Sequence, residues 1–150
     1  MSILAEETGL AFTVYGRPQQ RGSKRPFKSG AATLMVDAND KSKPWMAAVS
    51  HAGGEAMQGR ELMLGPLAIG VKFHFKRPKS HFGTGRNASV LKASSPYFKE
   101  SEPDTDKLMR AIGDALTGVV YRDDAQLANV TLSKVYTSEQ ERAEIFISRL

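Results

Sequence analysis

The chain has 150 residues, 41% of them apolar and 25% charged, and it contains no cysteine. Such a chain suits one compact domain with its own core. Disulfides and thiolate metal sites are excluded, so any metal must be held by oxygen or imidazole. The formal net charge of +5 is segregated: residues 1–99 hold 15 Lys/Arg against 6 Asp/Glu, a net of +9, and residues 100–150 hold 6 against 10, a net of −4.

The opening, MSILAEETGLAF, carries Glu6 and Glu7 early and has no long apolar run. Neither a signal peptide nor a membrane span is expected, which leaves a cytoplasmic protein as the expectation. Residues 10–15 read as a short strand. Residues 16–30, rich in Pro, Gly and cations, have little to bury and read as an exposed basic loop. Residues 33–37 suggest a second short strand. Ser42 is expected to cap a helix that has Pro44 in its first turn and runs through Trp45, Ala48 and Val49. Gly53-Gly54 should weaken or break that helix, with Glu55–Met57 able to continue it. Trp45 is assigned to the core.

Residues 66–77 give the clearest strand, with Leu67, Ile69, Val71, Phe73 and Phe75 alternating against Ala68, Gly70, Lys72, His74 and Lys76. One face belongs to a core; the other is small, then basic, and could meet phosphate. His74 is expected on that polar face. The histidines show no metal-ligand spacing, so none is given a catalytic role. Residues 78–102 read as a long basic loop, because no acid occurs between Glu61 and Glu100. A loop of this length in a compact domain is usually functional or disordered. Tyr97 and Phe98 are read as its anchor. Residues 104–117 read as a helix with Leu108, Ile112, Ala115 and Leu116 on one face, Asp104 or Thr105 at its start and Gly118 just past its end. Strands at 127–136 and 143–149, joined by a polar turn, should form an antiparallel hairpin. The sum is a single α+β domain: a small mixed or antiparallel sheet with about two helices packed on one face.

The segment 103–126 carries the chemistry, with five aspartates in 21 positions from Asp104 to Asp124. Asp106, Arg110 and Asp114 follow one another at i, i+4 and i+8, along a side separate from the apolar face. Asp104 and Asp106 suit the positive end of the helix dipole and could be plain caps. Asp114 in the last turn does not suit it, which points to a structural charge pairing, with Arg110 as a candidate partner. If Asp124 returns past the helix to meet Asp104 and Asp106, three carboxylates converge. Their repulsion is relieved by a divalent cation, and magnesium takes such oxygen ligands. A basic body would then hold DNA while the acids hold metal. The plainer alternative is a capped surface helix followed by an Asp-rich turn.

The run PDTDKLMRAIGDALTGVVYRDDAQL closely resembles the signature of the RusA family of Holliday junction resolvases: Pro-Asp-x-Asp-Asn-Leu-x-Lys, then Asp-Ala-Leu-x-Gly, then Asp-Asp-x-Gln. The resemblance implies a homodimeric α+β fold and Mg²⁺-dependent paired nicking of four-way junctions, leaving a 5′-phosphate and a 3′-hydroxyl. It implies that Asp104, Asp106 and Asp124 are the metal-binding catalytic acids, with Asp123 an adjacent acid. Asp114, Gly118 and Gln126 fall on supporting positions. One or two Mg²⁺ ions are expected, with Mn²⁺ as a substitute, and no small-molecule cofactor.

Two positions depart from the signature. Lys107 stands where the family has Asn, and Arg110 stands where it has the catalytic Lys. Arg cannot give up a proton but can stabilise charge on a phosphoryl group, so Arg110 is read as the transition-state stabiliser and Lys107 as a second candidate. The candidates for DNA contact are Arg17, Arg21, Lys24, Arg25, Lys28, Lys72, Lys76, Arg77, Lys79 and Arg86. Nothing in them reads base sequence, so recognition would depend on the shape of branched DNA. The rival expectations are a broader metal-dependent nuclease cutting flaps or forks, and a branched-DNA-binding protein weakened or silenced at Arg110.

Overall fold

In a computed structural model, residues 9–22, 24–37 and 39–150 are described, without the side chains of Lys24 and Asp37. The expectations for the leader, with Glu6 and Glu7, and for the Lys24 side chain lie outside the described residues. The elements in order are strands β1 (Gly9–Tyr15), β2 (Lys24–Ser29) and β3 (Ala32–Asp37), helix α1 (Ser42–Met57), strand β4 (Leu67–Lys76), helix α2 (Thr105–Leu116), and strands β5 (Leu127–Thr137) and β6 (Arg142–Arg149). Four strands form a mixed sheet in the order β1-β6-β4-β5, and β2 pairs with β3 in a separate antiparallel ribbon. This is a single α+β domain, with two α-helices among the described residues. Among the described residues, no helix is long and apolar enough to cross a membrane.

The alternation along β4 does what its pattern demands. Leu67, Ile69, Val71, Phe73 and Phe75 are buried together with Leu10, Val14, Ala143, Ile145 and Ile147 of the neighbouring strands. Trp45, Val49 and Met57 of α1 and Leu108, Ala111, Ile112 and Leu116 of α2 close the same core. Burial of this kind is the main stabilising term, on the order of 1.5–3 kcal/mol for each large apolar side chain.

Three expectations are corrected, and the alternative left open at Gly53-Gly54 is decided. The strands at 127–136 and 143–149 are not a hairpin. β4 lies between them, parallel to β5 and antiparallel to β6, and the short link from Thr137 to Arg142 passes over the end of β4, where the Glu141 carboxylate accepts from Lys76 N at 3.1 Å. Residues 16–30 are not all loop, because 24–29 form a strand; the ribbon is exposed on both faces, so no buried alternation marks it. Ser42 is buried inside α1 rather than capping it; Lys41 holds the cap position, with no side-chain bond. Gly53-Gly54 does not break α1. A Cβ at Gly53 would fall 2.6 Å from Leu116 Cδ2, so the missing side chain is what lets the two helices touch. Ser50 Oγ reinforces the contact, donating to Ala115 O at 2.6 Å.

His74 sits on the face opposite the core but is not free to meet DNA. It is only 7% exposed, and its Nε2 lies 2.7 Å from Glu144 Oε1. Glu144 is also 3.5 Å from Arg142 Nε, and Arg142 reaches Thr137 Oγ1 at 3.5 Å. The loop 78–102 is built rather than loose. Residues 79–81 and 85–87 form short helical turns, and Phe82 pairs with Leu91. Its end extends the sheet: Tyr136 N donates to Tyr97 O and Lys99 N to Lys134 O, both at 2.9 Å. The backbone at Tyr97 and Phe98 thus anchors the loop to β5, while both rings stay more than half exposed.

Candidate active site

Helix α2 presents the acids because its apolar stripe fixes its rotation. Leu108, Ala111, Ile112, Ala115 and Leu116 are buried, so Asp106 and Arg110 are turned outward. Asp104 occupies the N-cap position, yet its carboxylate makes no capping bond. Its backbone N–H donates to Gln20 Oε1 at 2.8 Å, and its carboxylate lies 3.5 Å from Lys107 Nζ. Asp106 and Arg110, one turn apart and exposed, have no ion pair or side-chain hydrogen bond among the described residues. Asp114 is paired, and not with Arg110: Arg21 Nη1 donates to its Oδ2 at 2.8 Å. The backbone N–H of Arg21 also donates to Lys107 O at 3.1 Å. Residues 20 and 21 therefore clip the basic N-terminal stretch onto α2.

The second acidic piece is a tight turn organised by Gln126. Its Oε1 accepts from Arg122 N at 2.9 Å and Asp123 N at 3.1 Å, while its Nε2 donates to Met63 O and Gly65 O at 3.0 Å each. Asp123 Oδ1 accepts from Ala125 N at 2.9 Å, completing a reciprocal cap. The turn leans on α2 at a glycine: a Cβ at Gly113 would lie 3.7 Å from both Cβ and Oδ2 of Asp124. Tyr121 OH, buried, donates to Gly113 O at 2.9 Å. Gly118 adopts φ +80°, a conformation that suits glycine and lets the chain turn back after α2.

The electrostatics differ between the two acidic ends. Asp124 is exposed as a residue, yet partial burial of its carboxyl raises its pKa. A hydrogen bond with Asp123 and the negative charges of Asp114 and Asp123 raise it further, against a backbone bond from Ala125. At the other end Lys134 supplies positive charge. Its Nζ donates to Ser101 O at 2.8 Å and Pro103 O at 2.7 Å, bracing the entry to α2. Burial and the nearby Lys99 lower its pKa, while Asp104 acts the other way.

The structure thus places Asp123, Asp124 and Asp114 within one another's field, and Asp104 beside Lys107. It does not close Asp104, Asp106 and Asp124 into one set. Gly113, where Asp124 rests, is seven positions beyond Asp106, which is roughly 10 Å along the helix axis. Among the described residues, no three His, Asp or Glu side chains stand close enough together to hold a metal ion. Gln20 and Lys134 were not expected at the site; each is a single polar residue in a stretch whose pattern says nothing of its partner.

The cations divide into engaged and open ones. Arg17 pairs with Glu141 at 2.7 Å and stacks on Phe75, Lys72 reaches Tyr97 OH at 3.3 Å, and Arg77 donates to Pro96 O at 2.7 Å. The side chains of Arg25, Lys28, Lys76, Lys79 and Arg86 have no such partner among the described residues.

Comparison with known proteins gives two findings. A family model described as "Endodeoxyribonuclease RusA" matches residues 16–148. A protein of Bacillus subtilis (strain 168), designated "Uncharacterized protein YqaN", is 29% identical over 141 residues, covering 92% of this chain and 94% of that protein.

Proposed function

The chain belongs to the RusA endodeoxyribonuclease family, and from that premise we propose that it is a Mg²⁺-dependent, structure-selective endonuclease resolving Holliday junctions by paired phosphodiester hydrolysis. The observation that carries this reading is the outward pair Asp106 and Arg110, left without partners among the described residues on a helix whose other acids are engaged. The donor chemistry suits a hard divalent cation: carboxylate oxygens are offered, and the charges of Asp114 and Asp123 still raise the Asp124 pKa although Arg21 pairs with Asp114. Asp104, Asp106 and Asp124, with Asp123 alongside, would hold it only once the turn that carries Asp123 and Asp124 closes toward the start of α2; one or two Mg²⁺ ions, or Mn²⁺, suit such ligands. When bound, the cation supplies Lewis-acid polarisation of a phosphoryl oxygen and a more acidic water.

The chain's own residues do the rest. Arg110 offers a fixed positive fork to the phosphate oxygens as charge builds on them, but cannot give up a proton. Lys107, held near Asp104, keeps protons it can transfer. The open cations Arg25, Lys28, Lys76, Lys79 and Arg86 follow the DNA backbone and make binding steeply salt-dependent. A two-fold homodimer would present two such sites to the two strands of a pseudo-symmetric junction. Light scattering at micromolar concentration tests this: a monomer both with and without DNA removes the dimer.

The test of the activity is cleavage of a labelled four-way junction in Mg²⁺, beside linear duplex and a fork, with Asp106→Asn as control. Paired junction nicks that vanish with EDTA and in the variant establish the reading. Equal cutting of all three substrates points instead to a general nuclease. A second reading, a protein that binds branched DNA without cutting it, is favoured by the separation of the three acids. Tight junction binding without nicks would select it.

A further inference from the structure

The β2–β3 ribbon buries almost nothing of itself. Phe27 pairs across the ribbon with Leu34 and Pro26 with Met35, and Phe27, Leu34 and Met35 are 50%, 52% and 58% exposed. Large apolar side chains placed in water on a projecting ribbon add little to stability, so their use has to be sought outside the fold. Between this ribbon and the start of α1 lies a cavity of about 470 Å³, the size of pockets that enclose small organic groups. Phe27 and Val36, on one face of the ribbon, give it apolar walls, Arg21, Arg25 and Lys43 bring three cations to it, and Asp40 is the one acid among the described residues that line it.

An aromatic face beside several cations is the chemistry that receives a nucleotide, with the ring stacking on the base and the cations meeting its phosphates. We propose that this cavity takes up one unstacked nucleotide of the DNA, its base against Phe27 and Val36 and its phosphate on Arg25 and Lys43. The inference rests on the DNA-processing reading given above. The placement supports it: Arg21 lines the cavity and is also bonded to Asp114 and to the Lys107 carbonyl, so the cavity adjoins the acidic helix. A duplex keeps its bases stacked and cannot fill the cavity, whereas a branch point or a single strand has bases to give. The ribbon therefore supplies a preference for branched over linear DNA without reading sequence.

The test is equilibrium binding by fluorescence anisotropy, in EDTA and at one fixed salt concentration, so that cleavage plays no part. The probes are a four-way junction, oligo(dT) and a linear duplex. Phe27→Ala is expected to weaken junction and oligo(dT) binding about tenfold and duplex binding less than twofold. Phe27→Trp should restore the affinity, and its added indole fluorescence should be quenched by oligo(dT). Because Phe27 is half-exposed, neither variant should alter the thermal melt. Equal weakening on all three probes, or no weakening on any, overturns the proposal while leaving DNA binding in place. So does a change of oligomeric state in Phe27→Ala, which would make the ribbon a contact between copies. If the unaltered protein binds none of the probes, the DNA-processing reading itself falls, and the nucleotide site with it.

Discussion

Arg21 and Asp114 stand 2.8 Å apart although 93 positions separate them in sequence. Arg21 belongs to the stretch before the ribbon and Asp114 to the last turn of α2, so this ion pair, like Arg17–Glu141, joins the basic and acidic halves. It also places a cation where the helix dipole disfavours the Asp114 charge. Arg21→Ala leaves that carboxylate beside Asp124 with no counter-charge. Both side chains are about a third exposed, so solvent screens the pair and the loss stays modest, about 1–2 kcal/mol. Thermal melting should show a fall of a few degrees; an unchanged melting temperature would mean that the pair contributes nothing.

Gln126 fixes the turn that carries Asp123 and Asp124. Gln126→Ala removes four hydrogen bonds and leaves Met63 O and Gly65 O without their donor. Junction cleavage should fall on the order of 10- to 100-fold, as when the partners that orient functional ligands are removed. Junction affinity in EDTA should hold within about twofold, since the DNA-facing cations are untouched. Loss of both in parallel would place Gln126 in general folding instead.

Arg110→Ala removes a charge that has no ion pair among the described residues. Stability should stay within about 0.5 kcal/mol, while the cleavage rate should drop on the order of 10²- to 10³-fold. Arg110→Lys should match or exceed the unaltered protein in single-turnover cleavage. A fall to the level of Arg110→Ala would show that the guanidinium fork, and not mere positive charge, is required.

Acid stability should carry the mark of Glu144. Its hydrogen bond from His74 holds its pKa below the usual carboxylate range, against partial burial and with help from Arg142. A lowered folded-state pKa means that the unfolded chain binds the proton more readily. The stabilisation is therefore fully present above the ordinary Glu range and is lost as pH falls through the lowered value. Melting temperature followed against pH should decline across that window, and Glu144→Gln should flatten the decline. An identical slope in the variant would assign the acid limb to other carboxylates.

The elements that were legible in the sequence are those whose burial is periodic. β4 shows an alternation of five apolar residues, and α2 an apolar stripe ending near a glycine. β2 was hidden because a ribbon with water on both faces needs no alternation and tolerates Pro26 and its cations. The pairing of β5 with β6 was misjudged because nearness in sequence favours a hairpin, whereas β4 needs a neighbour on each of its edges and takes one strand from each side. His74 reads as an exposed polar residue in any alternation; its burial comes from Glu144, seventy positions away. At the site, the aspartates stood out through a dense local motif. Gln20, Arg21 and Lys134 act at a distance in sequence, each through a few bonds, and no local pattern marks such bonds.

The bare contact at Gly53 gives the molecule a remote adjusting screw. Leu116, against which Gly53 packs, sits at the end of the helix that displays the aspartates, so position 53 governs how that helix lies while touching no charge. One added methyl in Gly53→Ala must displace Leu116 or hold the helices apart, at a cost of about 1–3 kcal/mol. The resulting protein would keep every charged group in its place at low temperature and lose their alignment first on warming. A heat-sensitive allele could therefore arise at a residue that touches none of the aspartates.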